Sequence, residues 1–212
     1  GGPGRGEGIR VEVEADRRAD IQRHHTAPHR FQWALHEAVR EDARQRGSRV
    51  ADDRMRFDLN SPEKLYNEQV AAIEKLVNGR IEANEPVYWS EVPFTEVQKH
   101  PAIQQFFCEK YGDTVRVVAV GTKETDQINQ AISKEFCGGI HVDNTAAIGG
   151  FKIIKEESIS AGVRRITALT GRPLLDYLVT RCDIVDELTQ TLKAPADQVA
   201  ARVVKLLEDN KR

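Results

Sequence analysis

Two pairs of metal-capable side chains, each spaced four residues apart, constrain this chain more than any other feature. His25 and His29 lie in "RHHTAPHRF", and Cys137 and His141 lie in "EFCGGIHV". Residues i and i+4 on a helix share a face, so the two histidines can aim at one ion. The glutamate that follows the first histidine in zinc metalloproteases is absent, because Thr26 stands there. In the second pair the glycines Gly138 and Gly139 allow a tight loop to turn thiolate and imidazole inward. These are donors that a borderline ion such as zinc prefers. If the pairs share an ion, the fold must bring together segments far apart in sequence. Pro28 is harmless in a first helical turn, where the N–H groups lack intrahelical partners. A helix starting at about Thr26 is therefore expected. The histidines would then sit at its positive pole, a geometry that suits an anion or a developing oxyanion.

The remaining pattern is that of a soluble globular chain. Hydrophobic residues make up 40% and charged residues 30% of the 212 positions, which excludes general disorder. No apolar run reaches the ~18 residues of a membrane span. The start, "GGPGRGEG" over residues 1 to 8, has no apolar signal core and reads as a linker or cloning remnant. Net charge is −2, so any RNA contact must be local or assisted by another part of a larger protein. Cys108, Cys137 and Cys182 are odd in number and irregularly spaced. That fits a reducing compartment, the cytoplasm, with thiols free for metal or chemistry.

Periodicity supplies the elements. "IRVEVEA" (9 to 15) and "RMRFDLN" (54 to 60) alternate like half-buried strands. Phe31, Ala34, Leu35, Ala38 and Val39 predict a helix from Thr26 to about Arg46. Asn60, Ser61 and Pro62 are expected to open a second helix bearing Leu65, Val70, Ile73, Leu76 and Val77. "PVYWSEVPF" and "TVRVVAVG" read as strands, the second apolar enough to be central. "FKIIKEESI" and "VRRITALTG" read as two more, joined through Ala161 and Gly162. The fold class is α+β, two layers with a mostly antiparallel sheet packed against helices. After Gly171, helical spacing from Leu174 to Leu192 and from Val199 to Leu207 predicts a helical hairpin over 172–212.

With these blocks in order, "HHTAPH", "QRGS", "RMRFDL", "EKYGDTVRVVAVG", "EFCGGIHV" and "IGGFKIIKEESISAGVRRITALTG", the chain resembles the editing domain of alanyl-tRNA synthetase over roughly residues 9–171. Free-standing deacylases share that core. The tail "TLKAPADQVAARVVKLLEDNK" resembles the segment that follows editing in the synthetase. The resemblance implies a piece of that enzyme without its aminoacylation domain and C-terminal globule. An alanine pocket rejects glycine poorly, because one methyl is worth only ~1–3 kcal/mol, and it also admits serine. The implied reaction is hydrolysis of the ester joining serine or glycine to the 3′-terminal adenosine of tRNA(Ala). The acceptor end of tRNA(Ala) is the implied partner, and self-association through the C-terminal helices is a further expectation.

By resemblance, His25, His29, Cys137 and His141 are the ligands of one Zn2+. Four ligands at once mark a closed structural ion, and a labile fourth marks a catalytic one. Cys137 is the ligand expected to be labile, beside the mobile glycines. The catalytic candidates are Cys137 and Gln45, whose amide could hold the substrate amine or orient a water. The substrate-binding candidates are Thr26, Gly138, Gly139 and Arg164. Thr26 could instead cap the helix. Arg164 and Arg165 point to opposite faces of a strand, one expected against a core acid and the other against phosphate. Arg17, Arg18, Arg23, Arg44, Arg46 and Arg49 form a candidate basic patch. Trp33 and Trp89 are expected to be packing residues.

Three positions depart from the family pattern. Pro28 and Ile140 replace threonines, and His24 stands where asparagine is frequent. The threonine matching Pro28 is implicated in recognising the serine hydroxyl. Proline offers neither hydroxyl nor N–H, so serine discrimination should be weakened. The alternatives to an editing hydrolase are a catalytically weakened, zinc-stabilised tRNA-binding module and a free-standing deacylase.

Overall fold

A computed structural model describes residues 14–39, 43–97, 112–122 and 131–211. Cys108 and most of the strand expected over 9 to 15 lie outside them. Contacts divide the chain into two compact units after Gly171.

In the first unit, helix α1 (Ala15–Ala38) is followed by strands β1 (Gln45–Val50) and β2 (Met55–Asn60) and helix α2 (Asn67–Glu82). Strand β3 (Val87–Pro93) leads into a single turn, α3 (Phe94–Val97), then β4 (Thr114–Val120) and β5 (Ser133–Phe136). A short 3-10 turn at Thr145–Ile148 precedes β6 (Phe151–Ser160) and β7 (Val163–Thr170). The strands form two antiparallel sheets, ordered β1-β2-β7-β6 and β3-β4-β5. The α+β expectation holds, with two sheets where one was expected and β4 central in the smaller.

Alternation translates directly into burial. Met55, Phe57 and Leu59 of β2 are buried and the residues between them are not. They join Phe31 and Leu35 of α1, Ile73, Val77 and Ile81 of α2, and Phe151 and Ile166 of β6 and β7 in one core. Phe31 meets Phe57 edge-on, with ring centroids 5.0 Å apart. Each such ring stabilises the fold by ~3–5 kcal/mol relative to alanine. A smaller core under the second sheet holds Val97, Val115, Val117, Ala119 and Phe136.

Helix α1 corrects the sequence reading at both ends. It begins at Ala15, so Pro28 and the histidines lie in its interior and not at a positively polarised start. Its first turn is exposed and the residues up to Arg23 are mostly polar and half-buried, which leaves no apolar stripe to read. Pro28 has no N–H to donate to His24 and is tolerated buried in the core. The helix ends at Ala38, where the Val39 N–H bonds Leu35 O at 3.0 Å. The side chains of Gln32 and His36 both donate to the Ala43 carbonyl, at 2.9 and 2.6 Å, just before β1. Helix α2 also starts later than expected, at Asn67. Residues before it bond elsewhere: Ser61 N–H to Gly162 O at 2.9 Å and Leu65 N–H to Glu156 Oε1 at 3.0 Å.

The second unit holds helix α4 (Gly171–Leu192), which begins at the boundary, and α5 (Val199–Asp209). Leu178, Val185 and Leu188 of α4 and Val204 and Leu207 of α5 are exposed. No helix among the described residues is long and apolar enough to cross a membrane.

Candidate metal centre

His25, His29, Cys137 and His141 converge. One donor atom from each lies within 4.8 Å of all the others. Cys137 Sγ is 3.4 Å from His25 Nε2 and 3.3 Å from His141 Nε2. Ligands at ~2.0–2.3 Å from a tetrahedral ion stand roughly 3.3–3.8 Å apart, so these separations fit a shared ion. Helix α1 presents His25 and His29 from consecutive turns, with rings nearly parallel at 14°. The loop after β5 brings Cys137 and His141 across from the other side, 112 positions later in sequence.

The surroundings orient each donor. His29 Nδ1 is engaged by the buried carboxylate of Glu135, which leaves Nε2 as the nitrogen for an ion. The Thr26 hydroxyl donates to Gln22 O at 2.9 Å and accepts from Val142 N–H at 3.2 Å. It therefore accepts from His141 Nδ1–H, 3.3 Å away, and the lone pair of His141 stays on Nε2 facing Cys137. Gln22 Nε2 donates to His141 O at 2.8 Å. The Cys137 N–H bonds Arg116 O at 3.2 Å, and Arg116 Nη1 donates to Gly139 O.

The electrostatics ready Cys137 and His141 for ligation, whereas His29 would have to release a proton to bind an ion. Burial raises the Cys137 thiol, but its side-chain contacts with the His141, His25 and His29 imidazoles and the His29 charge outweigh it and bring the thiol down to about 3. Burial, with the charges of His29 and His25, lowers His141 to about 4. Both are thus in ligand form at neutral pH. For His29, burial is overcome by the charge of Glu135 and by hydrogen bonds to Cys137 and Glu135, which raise it to about 10.

The other sequence candidates fall differently. Thr26 is 0% exposed in the helix interior, so it caps nothing and braces His141 instead. Gly139 has no room for a side chain: a Cβ there would lie 1.7 Å from His25 Cε1. Gly138 is exposed, with nothing within 4 Å of that position. Gln45 sits at the start of β1, where its Nε2 donates to Ser48 Oγ at 3.0 Å, and no described contact joins it to the four donors. Arg164 Nε holds Glu156 at 2.5 Å, mostly buried. Arg165 is bidentate to Asp58 at 2.8 Å for both bonds. Both arginines thus have carboxylates opposite or beside them in the sheet, where only one was expected to. In the basic patch, Arg17 pairs with Asp52 and Arg23 with Asp20.

Of the three departures, His24 is buried and its Nε2 accepts the Thr170 N–H at 3.2 Å. Ile140 lines a cleft of about 530 Å³ beside the cluster, together with Arg18, Tyr88, Trp89, Arg116 and His141. Trp33 packs against the main core as expected, with Arg80 over its ring. Trp89 is not in either core; it is 52% exposed, with Arg116 over its ring. Sequence reasoning also missed Glu135. Its signal was its place two residues before Cys137 at a strand end, which puts both on one face.

Residues 115–167 match the model of the second additional domain of threonyl and alanyl tRNA synthetases. The chain is 42% identical over 205 residues to an alanine–tRNA ligase of Akkermansia muciniphila, covering 97% of the chain and 20% of that protein. An alanine–tRNA ligase of Herpetosiphon aurantiacus is 40% identical over 212 residues, 97% of the chain and 24% of the relative. A chloroplastic/mitochondrial alanine–tRNA ligase of Micromonas pusilla is 41% identical over 208 residues, 98% of the chain and 22% of the relative. The chain thus spans between a fifth and a quarter of the length of these relatives. Over nearly all of its length it is homologous to a stretch of alanine–tRNA ligases, and part of that stretch matches the second additional domain of the threonyl and alanyl tRNA synthetases.

Proposed function

We propose that this stretch is an editing hydrolase that cleaves the ester joining serine or glycine to the 3′-terminal adenosine of tRNA(Ala). The observation that carries the reading is the meeting of two imidazoles of α1 with a thiolate and an imidazole of the β5 loop beside an open cleft. One thiolate and three nitrogens suit zinc. A bound zinc would supply Lewis acidity toward the ester carbonyl.

The chain's own residues have these roles. Glu135 holds His29, Thr26 and Gln22 hold His141, and Arg116 ties down the loop that carries Cys137. Cys137 is kept as the exchangeable ligand, because Gly138 beside it is exposed and uncrowded. Gln45 acts on the substrate amine or a water by exchanging its bond to Ser48. Arg164 supports the sheet through Glu156 and is kept as a substrate-binding candidate. Self-association through the exposed apolar residues of α4 and α5 belongs to the same proposal and is read from the mass in solution.

A second reading, a zinc-stabilised tRNA-binding module with little hydrolysis, is favoured by one observation. Pro28 and Ile140 stand where hydroxyls would be, the first buried and the second on the cleft wall. Metal analysis with a deacylation assay on Ser-tRNA(Ala) and Gly-tRNA(Ala) separates the two. The hydrolase reading expects about one zinc per chain, hydrolysis of at least one ester, and loss of both in Cys137→Ala. Zinc and tRNA binding without hydrolysis would establish the second reading instead.

A further inference from the structure

Trp89 is an unusual residue to leave in water. It lies on edge strand β3, directly across from Val118 of β4, and Arg116 of β4 is its diagonal neighbour on the same face. The Arg116 guanidinium sits over the indole, 4.3 Å from the ring centroid. With one face under Arg116, Trp89 still leaves 52% of its surface to solvent. Trp89, Tyr88, Arg116 and His141 line the same cleft of about 530 Å³, a volume that suits a small-molecule-sized ligand. Arg18 adds an exposed positive charge at the cleft.

The platform is also tied to the metal cluster. Arg116 backs the indole and at the same time donates to Gly139 O, while its own carbonyl holds the Cys137 N–H. One arginine thus sets the position of an aromatic surface relative to a candidate metal ligand. Its Nε is buried with no hydrogen-bond partner among the described residues. A flat, half-open indole backed by a cation accepts a nucleobase by stacking, and it does so with little regard to base identity.

We propose that Trp89, backed by Arg116, is the stacking platform for a base of the single-stranded 3′ end of the RNA, and so seats the terminal ester beside the four-residue cluster. This rests on the hydrolase reading for the identity of the RNA, although the platform itself is a binding element. Trp89 is a positioning residue: it acts on where the RNA end lies and touches no reacting atom.

The test uses the zinc-loaded full chain and an acceptor-stem RNA minihelix ending in CCA, uncharged or carrying glycine or serine. Trp89→Val keeps a strand-forming residue and removes the ring, and Trp89→Phe keeps a ring. Removing the stack should raise KM roughly tenfold with kcat and zinc content unchanged, while Trp89→Phe stays close to wild type. Uncharged minihelix should quench the indole emission of wild type, and Trp89→Val, which retains Trp33, should lose that quenching. Wild-type KM and undiminished quenching in Trp89→Val would overturn the platform while leaving the hydrolase intact. Trp89-dependent quenching in a chain that hydrolyses neither ester would sustain the platform and remove the hydrolase reading.

Discussion

Gly139→Ala is the substitution whose effect the geometry specifies most closely. An added Cβ would lie 1.7 Å from His25 Cε1, 2.2 Å from Nδ1 and 2.7 Å from Nε2. Non-bonded carbons need ~3.5 Å, so ring and loop must separate by roughly 1.8 Å. A metal–ligand bond tolerates only about 0.2 Å. The loop cannot simply slide away, because Arg116 holds it at Gly139 O and at the Cys137 N–H. His25 should therefore leave the donor set. Structural zinc sites bind with ~10–16 kcal/mol, so losing one of four ligands removes on the order of 3 kcal/mol, a fall in affinity of about 100-fold. Gly138→Ala is the matched control, because nothing lies within 4 Å of its added carbon. Competition titration of zinc against a chromophoric chelator measures all three proteins. Equal affinity in Gly139→Ala and Gly138→Ala would refute the reasoning, since His25 would then be either away from the loop or irrelevant to the ion.

Three further substitutions test neighbouring claims. Glu135→Gln removes the carboxylate that engages His29 and should weaken zinc by ~10–100-fold in the same titration. Pro28→Thr restores a hydroxyl and should raise serine over glycine deacylation by roughly tenfold, about the worth of one hydrogen bond. An unchanged ratio in paired rate measurements would remove Pro28 from specificity. Arg164→Ala strips the partner from the buried Glu156 and should lower stability by about 3 kcal/mol in urea denaturation. Unaltered stability with weakened RNA binding would place Arg164 in the phosphate-binding set.

Much of the fold was legible because strands announce themselves by period. In β2 the alternating Met55, Phe57 and Leu59 are the residues that enter the core. In β4 a nearly continuous apolar run became the centre of the second sheet. The helix ends were not legible, for physical reasons. The first turn of α1 is exposed and the residues up to Arg23 are mostly polar and only half-buried, so periodicity has little to mark there. Pro28 looked like a start signal, yet tertiary packing holds it in a helix interior, a case of context overriding propensity. The four donors of the cluster were legible from their spacing and chemistry. Their supports were not: Thr26 looked like a cap, and Gln22 and Glu135 are unremarkable polar residues until the loop after β5 is folded against α1. Trp89 was misread because exposure is a property of position in the sheet and not of residue type.

The most direct measurement of the central claim is zinc K-edge X-ray absorption on the zinc-loaded chain. The account predicts one ion per chain with one sulfur at ~2.3 Å and about three nitrogens at ~2.0 Å, and loss of the sulfur shell in Cys137→Ser. A coordination sphere of oxygens alone, or a sulfur shell that persists in Cys137→Ser, would contradict it.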